Sequence, residues 1–566
     1  MPENLTDVIE QHGEELQKYY GEQLMAATVE RNRRHLLVQI EEYLDFGEIE
    51  ETCRDYRHQS GPGALPRHTV KHLVRALLLG WLYDLSLREL EEQLNVNLLF
   101  RHFAGYGIFE RTPDHSTLGR FESWVLLKHR RVYFDTILTQ IYVQHPEQRE
   151  RKQIGDTYGM EANAARQGRV AIWRQFGKRL VEYLEKAGLE GVLEGWNQEM
   201  LFGQEGEKHN WAMSDKEKEA RLRQTALGAQ AQIVRVRGVL EQEPARKHKS
   251  LRATLGYLEK SLADEVLIDG EKVTPRTPKG EYAIGSATDP EATLRNHGEK
   301  GGQKDEIFGY NVQVAATTDG LVTETQAHTG SAPDQRDVAA LVTGQKQHHD
   351  ICPPTLIYDA AAGSGKVRHD VAEAADGATR ISAPLPNYAA RTTRFGPYDF
   401  LLSDDGRTLT CPQGQSSQVA YPSQSGDGRT FRFFPHQCWQ GEPPAHWKQA
   451  DISKRCPLWE KCRATRQGPH SMRQVFVSDY RKEVEAAMDY NRTDEYKAER
   501  KLRPRIERVV AALVRYNGAR RARRRRLEAA DWQAKMAATA YNLKWWMRRL
   551  PPPPVSSVAL GGDSAC

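Results

Sequence analysis

The chain reads as an α/β protein in which one interrupted sheet domain follows an all-α N-terminal domain. Three observations predict this. Apolar residues recur at helical spacing in HTVKHLVRALLLGWLY and again after TPDHSTLGRF. The period then switches to two across GYNVQVAATTDGLVTETQA, which reads as two strands around the turn Thr318-Asp319-Gly320. Beyond that hairpin, a buried strand ending at Asp359, the helix VRHDVAEAA and the strand TRISAP alternate as they do in α/β sheets.

Composition bounds the rest. The chain has 566 residues, enough for about three or four domains, each with its own core. Seven cysteines, an odd and sparse set, argue for a reducing compartment rather than a disulfide framework. MPENLTDVIEQ is acidic and polar, unlike a secretory signal. The longest apolar run, around Leu77–Trp81, is too short to cross a bilayer, so no membrane partner is expected. The expected location is cytoplasmic and nucleoid-associated.

Residues 1–64 read as one or two charged helices without identifiable chemistry. The next helix breaks at Asp84-Leu85, and Ser86 with Glu89 makes a capping box for SLRELEEQL. After a loop, Asp114 or Ser116 caps a further helix. Short helices and tight turns fit a helix-turn-helix-like domain over 65–145, in which Arg101, His102, Arg111, His115 and Arg120 are candidates to meet phosphates. A plain helical packing domain fits as well.

In KQIGDTYGMEANAA, Ile154, Asp156 and Tyr158 alternate with Gly155 and Thr157, a short strand with an acid on its apolar face. A charge there needs a partner, for which a metal is one solution and a turn cap another. Residues 164–299 form a helical insertion, with one helix ending at Gly188 and another capped by Ser214 and Glu217. Asp359 ends a buried strand before a small-residue turn, where α/β sheets place their chemistry, although such an acid also suits an N-cap. Residues 391–489 form a small β-rich insertion. It holds Cys411, Cys438, Cys456 and Cys462, four thiols that suit a tetrahedral Zn2+ site but lack compact C-x2-C pairs, so free thiols remain the alternative; His436 is a substitute ligand. The sheet domain is thus assembled from 150–163, 300–390 and 490–550, and 551–566 reads as a disordered tail.

The basicity is concentrated in Arg500–Arg526, which holds twelve Lys or Arg residues and one carboxylate, Glu507. That stretch contributes +11 (12 − 1) to a net +4, so the remainder sums to −7 (4 − 11), a local nucleic-acid face rather than general solubility. Ile506, Val509, Val510, Leu513 and Val514 mark one face of a helix that Pro504 opens and Gly518 stops. Taken alone, Glu507 suits a first-turn acid that favours the helix dipole.

With both insertions removed, the strand of Asp156, the hairpin, the strand of Asp359 and the helix of Glu507 follow the layout of a ribonuclease-H-like sheet. On RALLLGWLYDLSLRELEEQLNVNLLFRHFAG, TPDHSTLGRF, GDTYGMEANA, SATDPEA, GYNVQV, LIYDAAAGSG and ERKLRPRIERVVAALVRYNGARRAR with AYNLKWW, the chain resembles DDE-type bacterial insertion-sequence transposases. The resemblance implies a ribonuclease-H-like catalytic domain in which Asp156, Asp359 and Glu507 are catalytic and hold Mg2+ or Mn2+. Arg503 stands four residues before Glu507, as the family's Arg does. The implied partner is double-stranded DNA, both transposon ends and target, bound by a homo-oligomer. Arg503 and Arg505 would meet the scissile or neighbouring phosphates, and Arg520, Arg521, Arg523 and Arg524 would grip the backbone. Two departures stand out: Arg500 replaces a common tyrosine, and the turn after Asp359 lacks a Gly-Tyr pair. They leave a catalytically impaired, DNA-binding derivative as the alternative.

Overall fold

The computed structural model describes residues 5–56, 68–243, 245–276, 283–300, 303–385, 394–423, 426–441, 452–463 and 470–550. The expected disordered tail, 551–566, lies outside the described residues. The chain begins with helices α1 (Leu5–Arg31), α2 (Leu36–Tyr43) and α3 (Gly47–Thr52), followed by α4 (Val70–Leu82) and α5 (Leu87–Val96). Asp84 turns between α4 and α5 at a φ of 54°, and the Ser86–Glu89 capping box forms in both directions. Residues read as a loop instead make α6 (Leu98–Ala104). Asn97 caps it by accepting from Leu99 N and Phe100 N, and Gly105 ends it at a φ of 84°. Helix α7 (His115–Lys128), with Asp114 as its N-cap, and α8 (Val132–Gln144) complete the region.

Strand β1 (Gln153–Glu161) leads into a helical unit of α9 (Arg169–Lys186), α10 (Gln198–Phe202), α11 (Asp215–Arg237) and α12 (Lys249–Glu265). The Ser214–Glu217 box opens α11. Ile172, Trp173, Phe176, Leu180, Ile233, Leu255 and Leu258 belong to a core of this unit's own, and the small ribbon β2 (Val266–Asp269) and β3 (Lys272–Pro275) closes it.

The main sheet adds β4 (Thr293–Lys300), β5 (Gln303–Thr317) and β6 (Val322–Thr329), then α13 (Ala339–His349), β7 (Thr355–Ile357), α14 (Gly365–Ala374) and β8 (Arg380–Ser382). β1 is antiparallel to β5 on one side and parallel to β7 on the other, and β7 is parallel to β8. β5 pairs with β4 through its first half and β6 through its second. Gly320, at a φ of 91°, closes the β5–β6 turn.

The two faces of this sheet bury different helices. Ile154, Tyr158, Val312, Val314 and Ile357 join the N-terminal helices and the C-terminal pair in one continuous core, with Trp81 edge-on to Trp532 at 5.3 Å. Ala315, Leu356 and Tyr358 pack on α13 and α14 instead. On that second face Gly155 leaves room for the Tyr358 ring: a Cβ there would lie 2.4 Å from the ring.

A β-rich unit follows, with β9 (Leu401–Leu402), β10 (Leu409–Thr410), β11 (Ser416–Ser417), β12 (Ala420–Pro422), β13 (Gly428–Phe433), α15 (Trp459–Cys462) and β14 (Arg473–Ser478). Two three-stranded sheets share a core of six buried side chains, among them Phe400, Leu409 and Phe431. Helices α16 (Arg481–Tyr490), α17 (Asp494–Arg500), α18 (Arg505–Tyr516) and α19 (Leu527–Met547) end the described chain. Ile506, Val509 and Leu513 of α18 are buried as its periodicity predicts, whereas Val510 and Val514 are only half-buried. Among the described residues no helix is long and apolar enough to cross a membrane.

Candidate active site

Asp156 and Asp359 stand on neighbouring parallel strands. The register pairs Ile154 with Ile357, so each acid lies two residues beyond a paired position, at the same end of the sheet. Successive strand residues point to opposite faces, which puts both acids on the side of Ile154 and Ile357. Asp156 Oδ1 accepts from Thr157 N at 2.9 Å and pairs with Arg503 Nη2 at 2.9 Å. Burial raises its carboxyl above the usual range, and the negative charge of Asp359 adds to the rise; Arg503 and the Thr157 amide oppose it. β7 ends at Ile357, two residues before Asp359, and Asp359 Oδ1 accepts from Ala361 N at 2.9 Å. The acid is therefore also the N-cap of the short turn Ala360–Gly363.

Helix α17 positions Arg503. Lys152, just before β1, reaches Glu495 and the buried Glu499, each at 2.8 Å. Tyr490 donates its hydroxyl to Glu499 at 2.6 Å, and Arg380 of β8 lies 3.8 Å over the Tyr490 ring. Arg500 donates to the Tyr358 carbonyl at 2.5 Å, beside Asp359. These contacts fasten α17 across the ends of β1, β7 and β8 and hold the following turn, with Arg503, over Asp156.

Glu507 does not join the two aspartates. It lies exposed in the first turn of α18, and among the described residues no three His, Cys, Asp or Glu side chains form a metal-holding group. Arg505 donates to the Thr318 carbonyl at 3.1 Å. Arg505, Arg508 and Arg549 line one open hollow beside the Thr318–Gly320 turn.

The arginine run is not helical, and its members have different surroundings. Glu161 N donates to Arg520 O and Ala522 N donates to Glu161 O, so the run extends the end of β1. Arg520 and Arg521 pair with Glu161 at 3.5 and 2.7 Å yet keep most of their side chains exposed. Arg523 pairs with Asp84 at 2.6 Å and lies 3.9 Å over Trp81. Arg524 pairs with the buried Glu122 at 2.5 Å and donates to Ser123 Oγ at 2.8 Å. Both therefore fasten the C-terminal region to the N-terminal helices. Arg101 is likewise spoken for: it is buried, and it donates to the carbonyls of Leu94, Gly107 and Glu110, which corrects the expectation that it faces phosphate.

Sequence reasoning missed the polar side chains around β5. Asn311 and Gln313 are buried on the strand whose Tyr310, Val312 and Val314 fill the core. Asp334 Oδ1 accepts from Thr157 Oγ1 at 2.9 Å and from Asn311 Nδ2 and Arg295 Nη2 at 3.0 Å, bracing β1, β4 and β5. The signal was present in GYNVQV, since two amides inside a buried strand require partners. Asp289 of SATDPEA is fully buried, accepts from the Tyr310 hydroxyl at 2.5 Å and from Arg526 N at 3.2 Å, and so ties that loop to the start of α19.

A family model described as "Transposase domain (DUF772)" matches residues 27–124, and one described as "Transposase DDE domain" matches residues 410–547. Glu507 lies inside the second match, and Asp156 and Asp359 lie outside it. No match was found among curated proteins or solved structures. The two matches, in the order that the sequence resemblance requires, identify the chain as carrying the domains of a DDE-type insertion-sequence transposase.

Proposed function

We propose that the protein binds the ends of a transposable DNA element and catalyses metal-dependent strand cleavage followed by strand transfer. The observation that carries this reading is the pairing of Asp156 and Asp359 at one end of adjacent strands, with a cation, Arg503, already against one of them. The strand arrangement supports a ribonuclease-H-like sheet: β6, β5, β1, β7 and β8 in that order, with only the first three antiparallel.

The donor set fits Mg2+ or Mn2+. Mg2+ prefers oxygen, keeps several waters and needs only one or two carboxylates plus substrate phosphate. Asp156 and Asp359 would hold it. The chemistry such an ion supplies when bound is polarisation of a phosphoryl oxygen and activation of water. Glu507 is proposed as the third acid, supported by its place one turn after Arg503. Arg503 pairs with Asp156, and the same guanidinium would also serve the phosphate backbone beside it. Arg505, Arg508 and Arg549 would carry phosphates past the β5–β6 turn, and Arg520 and Arg521 would add sequence-tolerant affinity on the far side of β1. Arg523 and Arg524 act chiefly as internal ties.

The test uses full-length protein and a duplex carrying the DNA that borders the coding sequence at its ends. Transposase predicts cleavage in Mg2+ and joining of pre-cut ends to a target plasmid. Cleavage without joining would indicate a nuclease, and binding without either would indicate an impaired DNA-binding derivative; each outcome sinks the transposase reading.

A further inference from the structure

We propose that Cys411, Cys438, Cys456 and Cys462 together hold one structural zinc ion that staples the β-rich unit. These cysteines are spread across 52 positions (462 − 411 + 1), yet all four line one cavity of about 20 Å3. That volume suits a single water-sized occupant. Phe395, Phe400, Phe433 and Trp459 share the remaining walls with three glutamines and two arginines, and among these groups the thiols are the ones suited to Zn2+.

Backbone hydrogen bonds shape the loops that carry the cysteines and join two of them directly. Cys411 N donates to Gln415 O and Gly414 N to Cys411 O, each at 2.8 Å, which folds Cys411-Pro-Gln-Gly into a tight turn after β10. Gly414 has a φ of 86°, which favours glycine at this turn. Cys456 N donates to Cys438 O at 2.9 Å, placing those two loops side by side, and Cys462 follows at the end of α15. This arrangement supplies the proximity that the missing C-x2-C pairs would have given in the sequence.

Charge also matches. Four thiolates round Zn2+ leave a net charge of about −2, which a buried site must offset. Arg463 and Arg473 both line the cavity, and the buried Arg463 directs Nη2 at Cys438 Sγ, 3.2 Å away. His436 is excluded as a substitute ligand: it is exposed, stacked on Phe434, and does not line the cavity. The four thiols surround the space without already forming a metal cluster, so binding requires side-chain rotation inward. Four thiol protons leave to solvent as four Zn–S bonds form.

A staple answers a need of this unit. Among the described residues its main hydrophobic cluster has six buried side chains beneath short strands, a small core for fixing long loops by apolar burial alone. The proposal is independent of the catalytic reading.

Full-length protein purified without added metal is assayed for metal by mass spectrometry. About one zinc per chain is expected. Titration with a mercurial should release that zinc as four thiols react, and Co2+ replacement should give the strong d–d bands of a tetrahedral four-thiolate site. Cys411→Ser with Cys438→Ser should abolish zinc uptake, whereas Cys53→Ser with Cys352→Ser should leave it intact. If the cavity variant fails to fold, the wild-type mercurial and Co2+ readings still decide. Folded wild-type protein without zinc, a disulfide among the four cysteines, or zinc unaffected by the cavity variant overturns the proposal.

Discussion

Asp156→Asn and Asp359→Asn should each lower strand cleavage in Mg2+ by on the order of 10³-fold or more, because a metal's charge stabilisation is worth several kcal/mol and each 1.36 kcal/mol is tenfold. End binding should survive, since the counterion-releasing arginines lie elsewhere. Stability separates this outcome from misfolding. The Asp156 carboxyl is raised by burial, so the folded chain holds that proton more tightly than the unfolded chain. In the window between the unfolded and folded values the native state binds more protons, and stability falls as pH rises through it. Ionising this acid is therefore a net cost in the folded chain, which Asn removes while keeping Oδ1 for Arg503. The melting temperature of Asp156→Asn should be retained or raised. Loss of cleavage with loss of folding would not support the assignment.

Arg524→Ala should destabilise the protein by about 3 kcal/mol, the lower end of the range for orphaning a buried charge. Glu122, whose side chain is 6% exposed, would lose its cation, and Ser123 and the Gly119 carbonyl would lose a donor. Arg524 is itself nearly a third exposed, which argues against the upper end of that range. Denaturant unfolding of Arg524→Ala, Glu122→Gln and the double variant measures the coupling. Strong coupling is expected, together with DNA affinity lowered no more than by Arg520→Ala. A stable Arg524→Ala variant with sharply weakened DNA binding would return Arg524 to the DNA-gripping set.

The contrast between Arg524 and the capping boxes shows which features were legible in the sequence. Ser86 with Glu89, and Ser214 with Glu217, act within one turn, so four residues contain all the physics. The Thr318–Gly320 turn and the apolar face of α18 are similarly local. Arg524 meets Glu122 across 402 positions, and nothing near either residue encodes the pair. In a run of like charges, tertiary partners decide which members remain available to a ligand. The same limit applies to the acids. Local pattern marked Asp156 as a charge on an apolar strand face, but its relation to Asp359 depended on strand pairing and that to Arg503 on the clamp made by α17. Glu507 was legible only through the family spacing, and its local context, a first-turn acid, describes its surroundings in the structure. The four cysteines lacked compact spacing because their proximity is made by turns and by loop–loop pairing rather than by adjacency.

The most direct measurement of the central claim is metal-specific rescue of Asp156→Cys and Asp359→Cys. Thiolate disfavours Mg2+ and accepts softer ions. If these two side chains hold the catalytic metal, each variant should be inactive on end-bearing duplex in Mg2+ and regain cleavage when Mn2+ or Cd2+ is supplied, with Asp→Asn showing no such recovery. Unimpaired cleavage by the cysteine variants in Mg2+ would contradict the account.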